Sequence, residues 1–146
     1  MRKSATLPTY ICLVIWLCIA GAQAAYEPLD LGTLGGAESW ALDVNTNGSV
    51  VGCSLDSSGR QRAFLWTEPG GMSDIGTLGG ESAAALSIND FGEIVGYSDT
   101  ADGKSHAFLR TTAGEMVDLG LLPDHTSSQA TAAANVIVGF SVADGR

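Results

Sequence analysis

From about residue 25 onward, apolar positions recur in short alternating runs and not at helical spacing. Trp40-Ala41-Leu42-Asp43-Val44 and Ala84-Ala85-Leu86-Ser87-Ile88 each read as a strand with one buried face. They lead into Asn45-Thr46-Asn47-Gly48 and Asn89-Asp90-Phe91-Gly92, where glycine supplies the positive φ of a tight hairpin and asparagine can bond its own backbone. The β-branched runs Ser49-Val50-Val51-Gly52-Cys53-Ser54 and Glu93-Ile94-Val95-Gly96-Tyr97-Ser98 follow, with an internal glycine expected where a neighbouring backbone comes close. Polar turns then lead to a third strand, Arg62-Ala63-Phe64-Leu65-Trp66 and His106-Ala107-Phe108-Leu109-Arg110. The turns Pro69-Gly70-Gly71 and Thr112-Ala113-Gly114 lead to a fourth, at Met72–Ile75 and Glu115–Leu119. No segment beyond the first 24 residues keeps a 3.6-residue apolar period.

These elements repeat. Leu31-Gly32-Thr33-Leu34-Gly35-Gly36 returns as Ile75-Gly76-Thr77-Leu78-Gly79-Gly80, and a degenerate copy begins at Leu119-Gly120-Leu121-Leu122. Gly32, Gly76 and Gly120 stand 44 residues apart, which marks a repeat architecture. Four antiparallel strands in that length match one propeller blade, whereas the coils of a β-solenoid are shorter. The expected fold is therefore all-β, with propeller-like four-stranded repeats in an incomplete ring of about 2.75 repeats, divided near residues 30–73, 74–117 and 118–146. No unit has enough apolar face to stand alone, so neighbours must stack.

At the ends, Tyr26–Leu31 aligns with the fourth strand, and Ile137-Val138-Gly139-Phe140-Ser141 aligns with the second. Asp144-Gly145-Arg146 matches the turn Asp102-Gly103-Lys104 that precedes a third strand. Strands then number one, four, four and two, eleven in all, against the four or more blades of a closed propeller. Two expectations follow: a homo-oligomer whose copies complete the propeller, or a shortened gene product with unpaired sheet edges and no independent role. In the third unit Pro123-Asp124-His125 replaces the glycine pair, and Asn135 stands where Gly48 and Gly92 do, as the non-glycine residue best suited to positive φ.

The N-terminus changes the picture of where this protein works. Arg2 and Lys3 precede an apolar run from Tyr10 to Ala20, and Ala22-Gln23-Ala24 offers small residues for cleavage, so residues 1–24 read as a secretory signal peptide. The run is too short for a spanning helix, so no stable membrane insertion is expected after cleavage. The destination is the periplasm, the cell surface or the medium. Residues 25–146 keep one cysteine, Cys53, and cannot form an internal disulfide. Removing Arg2 and Lys3 takes the net charge of −9 to −11, a surface that repels phosphate backbones and argues against nucleic acid.

Asp30-Leu31-Gly32-Thr33-Leu34-Gly35-Gly36, the run Asn89-x-x-Gly92-x-x-Val95-Gly96-x-Ser98, and His106-Ala107-Phe108-Leu109 together resemble the bacterial HAF family of extracellular repeats, named for its His-Ala-Phe signature. The repeat signature falls on Gly32, Gly35 and Gly36 with Gly76, Gly79 and Gly80. It continues on Asn45, Gly48 and Gly52 with Asn89, Gly92 and Gly96, then on Phe64 and Trp66 with His106, Ala107 and Phe108. The resemblance spans nearly all of residues 25–146 and implies an exported, propeller-like repeat protein without an assigned activity. Arg62 replaces the signature histidine in the first unit, Arg110 replaces the tryptophan found at Trp66, and the third unit lacks the signature.

Candidate chemistry is sparse. Asp43-x-Asn45-x-Asn47-Gly48 has the first half of a calcium loop, but Val51 and Ser54 stand where later ligands belong, so a hairpin turn is the first reading and a weak metal site the second. His106 shares its slot with Arg62, which cannot act as a catalytic base, so the slot reads as structural. No Gly-x-Ser-x-Gly elbow is present, and the carboxylates form no unrepeated cluster. The glycine pairs read as turns, Cys53 as a buried or half-buried apolar filler, Trp66 as core first and a sugar-stacking surface second, and Trp40 as a sugar-stacking candidate. Taken together, the residues point to a secreted non-enzymatic module, without a cofactor, that binds a protein or glycan through repeated loops. An extracellular glycan-acting enzyme using carboxylate pairs is the alternative.

Overall fold

The computed structural model describes residues 27–143, so the expected signal peptide, Tyr26 and the turn at residues 144–146 lie outside the described residues. All regular structure among the described residues is β, and no helix there is long and apolar enough to cross a membrane. Ten strands run in order: β1 (Gly35–Val44), β2 (Val50–Asp56), β3 (Gln61–Thr67), β4 (Gly71–Asp74), β5 (Gly79–Ile88), β6 (Ile94–Thr100), β7 (Ser105–Arg110), β8 (Met116–Gly120), β9 (Ser127–Ala133) and β10 (Ile137–Val142).

Two open sheets result. The first is an antiparallel meander in the order β1-β2-β3-β4. The second repeats it with β5-β6-β7 and β8 on β7, and β9 joins the edge of β7 by one parallel pair, Ser105 with Ser127, carrying β10 on its far side. The registers correspond at a shift of 44: Gly52 faces Phe64 as Gly96 faces Phe108, and Cys53 faces Ala63 as Tyr97 faces Ala107.

Stacking of one repeat on the next supplies the dry interior. Val51 and Ala63 of the first sheet form one cluster with Ala83, Ala85, Ile88, Ile94 and Phe108 of the second, and Leu65, Ile75, Leu78 and Met116 close its sides. A second cluster joins Val95 and Ala107 to Ala130 of β9 in the same way. Alanine at positions 83 and 85 lets β5 lie close against the preceding sheet, where larger side chains would hold the two apart.

Three expectations are corrected. Residues 27–31, the described part of the segment Tyr26–Leu31 that aligns with the fourth strand of a unit, form no strand. The strands equivalent to it, β4 and β8, exist by pairing with β3 and β7. Pro28 also stands where Met72 pairs with Trp66, and proline brings no N–H to a ladder. The strand count among the described residues is thus ten, not eleven.

Second, the first strands begin at Gly35 and Gly79, so the glycine pairs sit in strands and not in turns. Gly35 and Gly79 have φ of +100° and +104°. A Cβ on Gly36 would lie 2.6 Å from the Leu55 carbonyl oxygen, and one on Gly80 would lie 2.7 Å from that of Asp99. The pair is needed because the incoming strand crosses the end of the next one at backbone contact.

Third, Asn135 does not take the positive φ of Gly48 and Gly92. The β9–β10 turn holds only residues 134–136, against 45–49 and 89–93 in the earlier units, so it closes without a left-handed residue.

Candidate functional site

The two long Asn turns lie one above the other, held by hydrogen bonds that span the repeat. Within each turn the asparagine acts alike: Asn45 Oδ1 accepts from the N–H groups of Asn47 at 3.1 Å and Ser49 at 3.0 Å, and Asn89 Oδ1 from those of Phe91 at 3.1 Å and Glu93 at 2.9 Å. Both asparagines are buried, so these bonds replace those water would make. Between the turns, Asn45 Nδ2 donates to the Asn89 carbonyl at 3.1 Å and Asn47 Nδ2 to the Asp90 carbonyl at 3.2 Å. The Asp90 carboxylate returns the contact by accepting from Thr46 N–H at 3.0 Å and Thr46 Oγ1 at 2.9 Å, which holds its pKa below the usual carboxylate value.

Asp43 completes this ladder. Its Oδ2 accepts from Ser87 Oγ at 2.8 Å and Ile88 N–H at 3.0 Å, and its Oδ1 from Val44 N–H at 2.9 Å. Burial alone would raise its pKa, but the bonds from Ile88, Ser87 and Val44 outweigh that and bring it below 3.8. The residues of the half calcium loop, Asp43, Asn45 and Asn47, are therefore engaged with protein donors and acceptors of the turns. Among the described residues no group of three or more His, Cys, Asp or Glu could hold a metal ion.

The outer side of the ladder is apolar where a turn would ordinarily be polar. Phe91 is 75% exposed and Val136 70% exposed. Beside them a pocket of about 330 Å³ opens between the second and third turns, with Ile88, Asn89 and Asp90 on one wall and Ala133, Ala134 and Asn135 on the other. The third turn is the shorter one, and its Asn135 lines this space.

The signature slot at Arg62 and His106 is a bridge between strands three and four. Arg62 Nε donates to Asp74 Oδ2 at 2.9 Å, and Arg62 also reaches across to the Glu81 carbonyl of the next repeat at 3.2 Å. His106 Nδ1 lies 2.9 Å from Asp118 Oδ2 in the same arrangement, and its buried Nε2 has no partner. Asp74 and Asp118 each also accept from a glycine N–H two residues on, at 2.8 and 2.7 Å. Sequence reasoning misses these two aspartates, although the 12-residue spacing to Arg62 and His106 recurs in both units and could have found them.

In the sequence Ser54 and Ser98 read only as strand residues. Both are fully buried, and their hydroxyls accept the N–H of Leu34 at 3.0 Å and of Leu78 at 2.9 Å, fastening each incoming segment to its own sheet. Phe64, Phe108 and Ala107 are core residues, Trp66 is half-buried, and Trp40 is 44% exposed. Gly52 and Gly96 stand opposite carbonyl oxygens of the first strand, where a Cβ would come within 1.9 and 2.0 Å. Cys53 is buried and unpaired, and burial pushes its thiol above 9.0. Gly32, Gly48, Gly76 and Gly92 all take positive φ in open space. No family model, curated protein or solved structure matches this chain.

Proposed function

We propose that this chain is an exported, non-enzymatic binding module of propeller-like repeats, of the HAF type, which takes a protein or glycan partner on its stacked-turn face. The observation that carries this reading is the pairing of a rigid ladder with exposed apolar groups. Phe91 lines the 330 Å³ pocket on a turn that the Asp43, Asn45, Asn47 and Asp90 bonds hold to its neighbour, and Val136 is exposed on the third turn. An exposed aromatic on a preorganised backbone loses little entropy on binding, and its ring offers a face to an apolar side chain or a sugar.

One feature favours binding over hydrolysis. The carboxylates beneath this face, Asp43 and Asp90, have depressed pKa values and stay ionised, which makes them poor proton donors for glycoside cleavage. The net charge of −9 weighs against nucleic acid as the partner. Among the described residues both sheets are open, which supports the further part of this proposal, that copies of the chain assemble to complete a propeller. Light scattering that finds a monodisperse monomer at high concentration refutes the assembly.

The binding proposal is tested with a glycan array and a pull-down using the parent and a Phe91→Ser variant whose circular dichroism matches the parent. A partner retained by the parent and lost by the variant is the expected result. Identical capture by the two proteins, or none by either, refutes the assignment of the turn face.

A further inference from the structure

A second surface, away from the turn ladder and independent of it, lies along β10. Among the described residues β10 pairs with β9 alone, and its Val138, Phe140 and Val142 are exposed, Phe140 by 52%. The corresponding strands β2 and β6 carry β3 and β7 on the other side, each with a fully buried phenylalanine lying across from a glycine.

A groove of about 390 Å³ lies against β10, and its walls reproduce the surroundings of Phe108. Phe108 is buried across from Gly96 in a cluster with Ala63, Ala85 and Ile94, flanked by Ile75 and Leu78. In the groove Gly139 corresponds to Gly96, Ala130 to Ala85, Ala107 to Ala63, Ile137 to Ile94, Leu119 to Ile75, and Leu122 to Leu78. The correspondence extends to the backbone, since Gly139 faces Ala130 as Gly96 faces Ala85.

We propose that this groove and the open edge of β10 together bind an extended segment of a partner protein carrying an Ala-Phe-Leu pattern. The segment adds as an antiparallel strand, with its phenylalanine ring over Gly139. Main-chain bonds to the edge supply affinity, and the alternating side-chain sites supply selectivity. The chain itself specifies the pattern. The site opposite Phe140 takes a small residue, because alanine is what faces Cys53 and Tyr97 in the two complete repeats. The site opposite Val138 takes an aliphatic residue, as Leu65 and Leu109 face Val51 and Val95.

A second copy of this chain is disfavoured as the donor, because its own Ala-Phe-Leu strands are interior strands with fully buried phenylalanines and would have to leave their sheets. The net charge of −9 favours a segment with basic flanks, such as Lys104 and Arg110 provide around β7.

The experiment is fluorescence anisotropy of a labelled synthetic peptide with the sequence of residues 103–112, titrated with the full chain. A Phe108→Ala peptide and a peptide N-methylated along one edge serve as comparisons. Saturable binding is expected, weakened at least about tenfold by either change, with slowed amide exchange at Gly139 and Ser141, whose N–H groups face the open edge. Absence of saturable binding by the parent peptide, or equal binding by the Ala peptide, overturns the proposal. The Phe91→Ser protein is expected to bind the peptide like the parent, so failure of the turn-face reading and failure of this one give different results.

Discussion

Replacing Gly96 by alanine separates local preference from tertiary geometry, because the two predict opposite signs. Gly96 lies inside β6 and its φ is not positive, so backbone preference alone favours alanine by about 0.4–1 kcal/mol, through a less flexible unfolded chain. The structure reverses this. The added methyl carbon would stand 2.0 Å from the Ala84 carbonyl oxygen, 3.0 Å from its carbon and 3.1 Å from Ala85 Cα. Ordinary contact begins near 3.4 Å, so the oxygen must retreat by roughly 1.4 Å, and every atom in the way is backbone.

That retreat pulls β5 from β6 at the pairs Ala84 with Tyr97 and Ala85 with Gly96, beside the bulge that precedes Ser87. One or two ladder bonds at about 1 kcal/mol each, with about 1–3 kcal/mol for overpacking and the offset above, give a net loss of roughly 3 kcal/mol. Gly103→Ala is the comparison: its φ is +80° and its Cβ would meet nothing within 4 Å, so only left-handed strain of about 1–2 kcal/mol applies. Urea unfolding followed by circular dichroism measures both. A Gly96→Ala protein as stable as the parent, or less affected than Gly103→Ala, refutes the close-contact argument.

Three further outcomes are expected. Ser98→Ala should lower stability by about 1–3 kcal/mol in the same urea assay, because it leaves the Leu78 N–H without its acceptor, while Ser73→Ala at an exposed hydroxyl should change little. The pKa values of Asp43, Asp56, Asp90 and Asp102 are all below 3.8 when folded, so their contribution is fully present above that pH and is lost as pH falls through their lower folded values. Melting temperatures should therefore be flat down to about pH 5 and drop below about pH 4, with Asp43→Asn less stable than the parent near neutrality and converging on it in acid; a constant gap between the two across this range counts against the ladder role of Asp43. Cys53, buried with a raised pKa, should react with a thiol reagent at neutral pH only as fast as the protein opens, and an immediate reaction in native buffer would contradict its placement.

Much of this molecule is legible in residue order, and the reason is that its strong signals are local. Alternation in Ala84–Ile88, the β-branched run at Glu93–Ser98 and the Asn-x-x-Gly turns between them each act over a few residues, and the 44-residue spacing multiplies them. What the spacing could not reveal is which atoms meet between repeats. Asp43, Asn45 and Asn47 carry the oxygen pattern of an ion loop, and only the stacked neighbour, with Ser87, Ile88, Asn89 and Asp90 in reach, makes them a protein ladder instead.

The same holds for the glycines and the ends. Gly36 and Gly80 could be taken for turn residues until Leu55 and Asp99 are seen crossing beneath them, and residues 27–31 align with a strand without forming one. Pattern along a chain determines which face of a segment is apolar and where the chain turns. Pairing, stacking and the shape of the space left between repeats depend on contacts among residues tens of positions apart, and those exist only once the sheets have closed on one another.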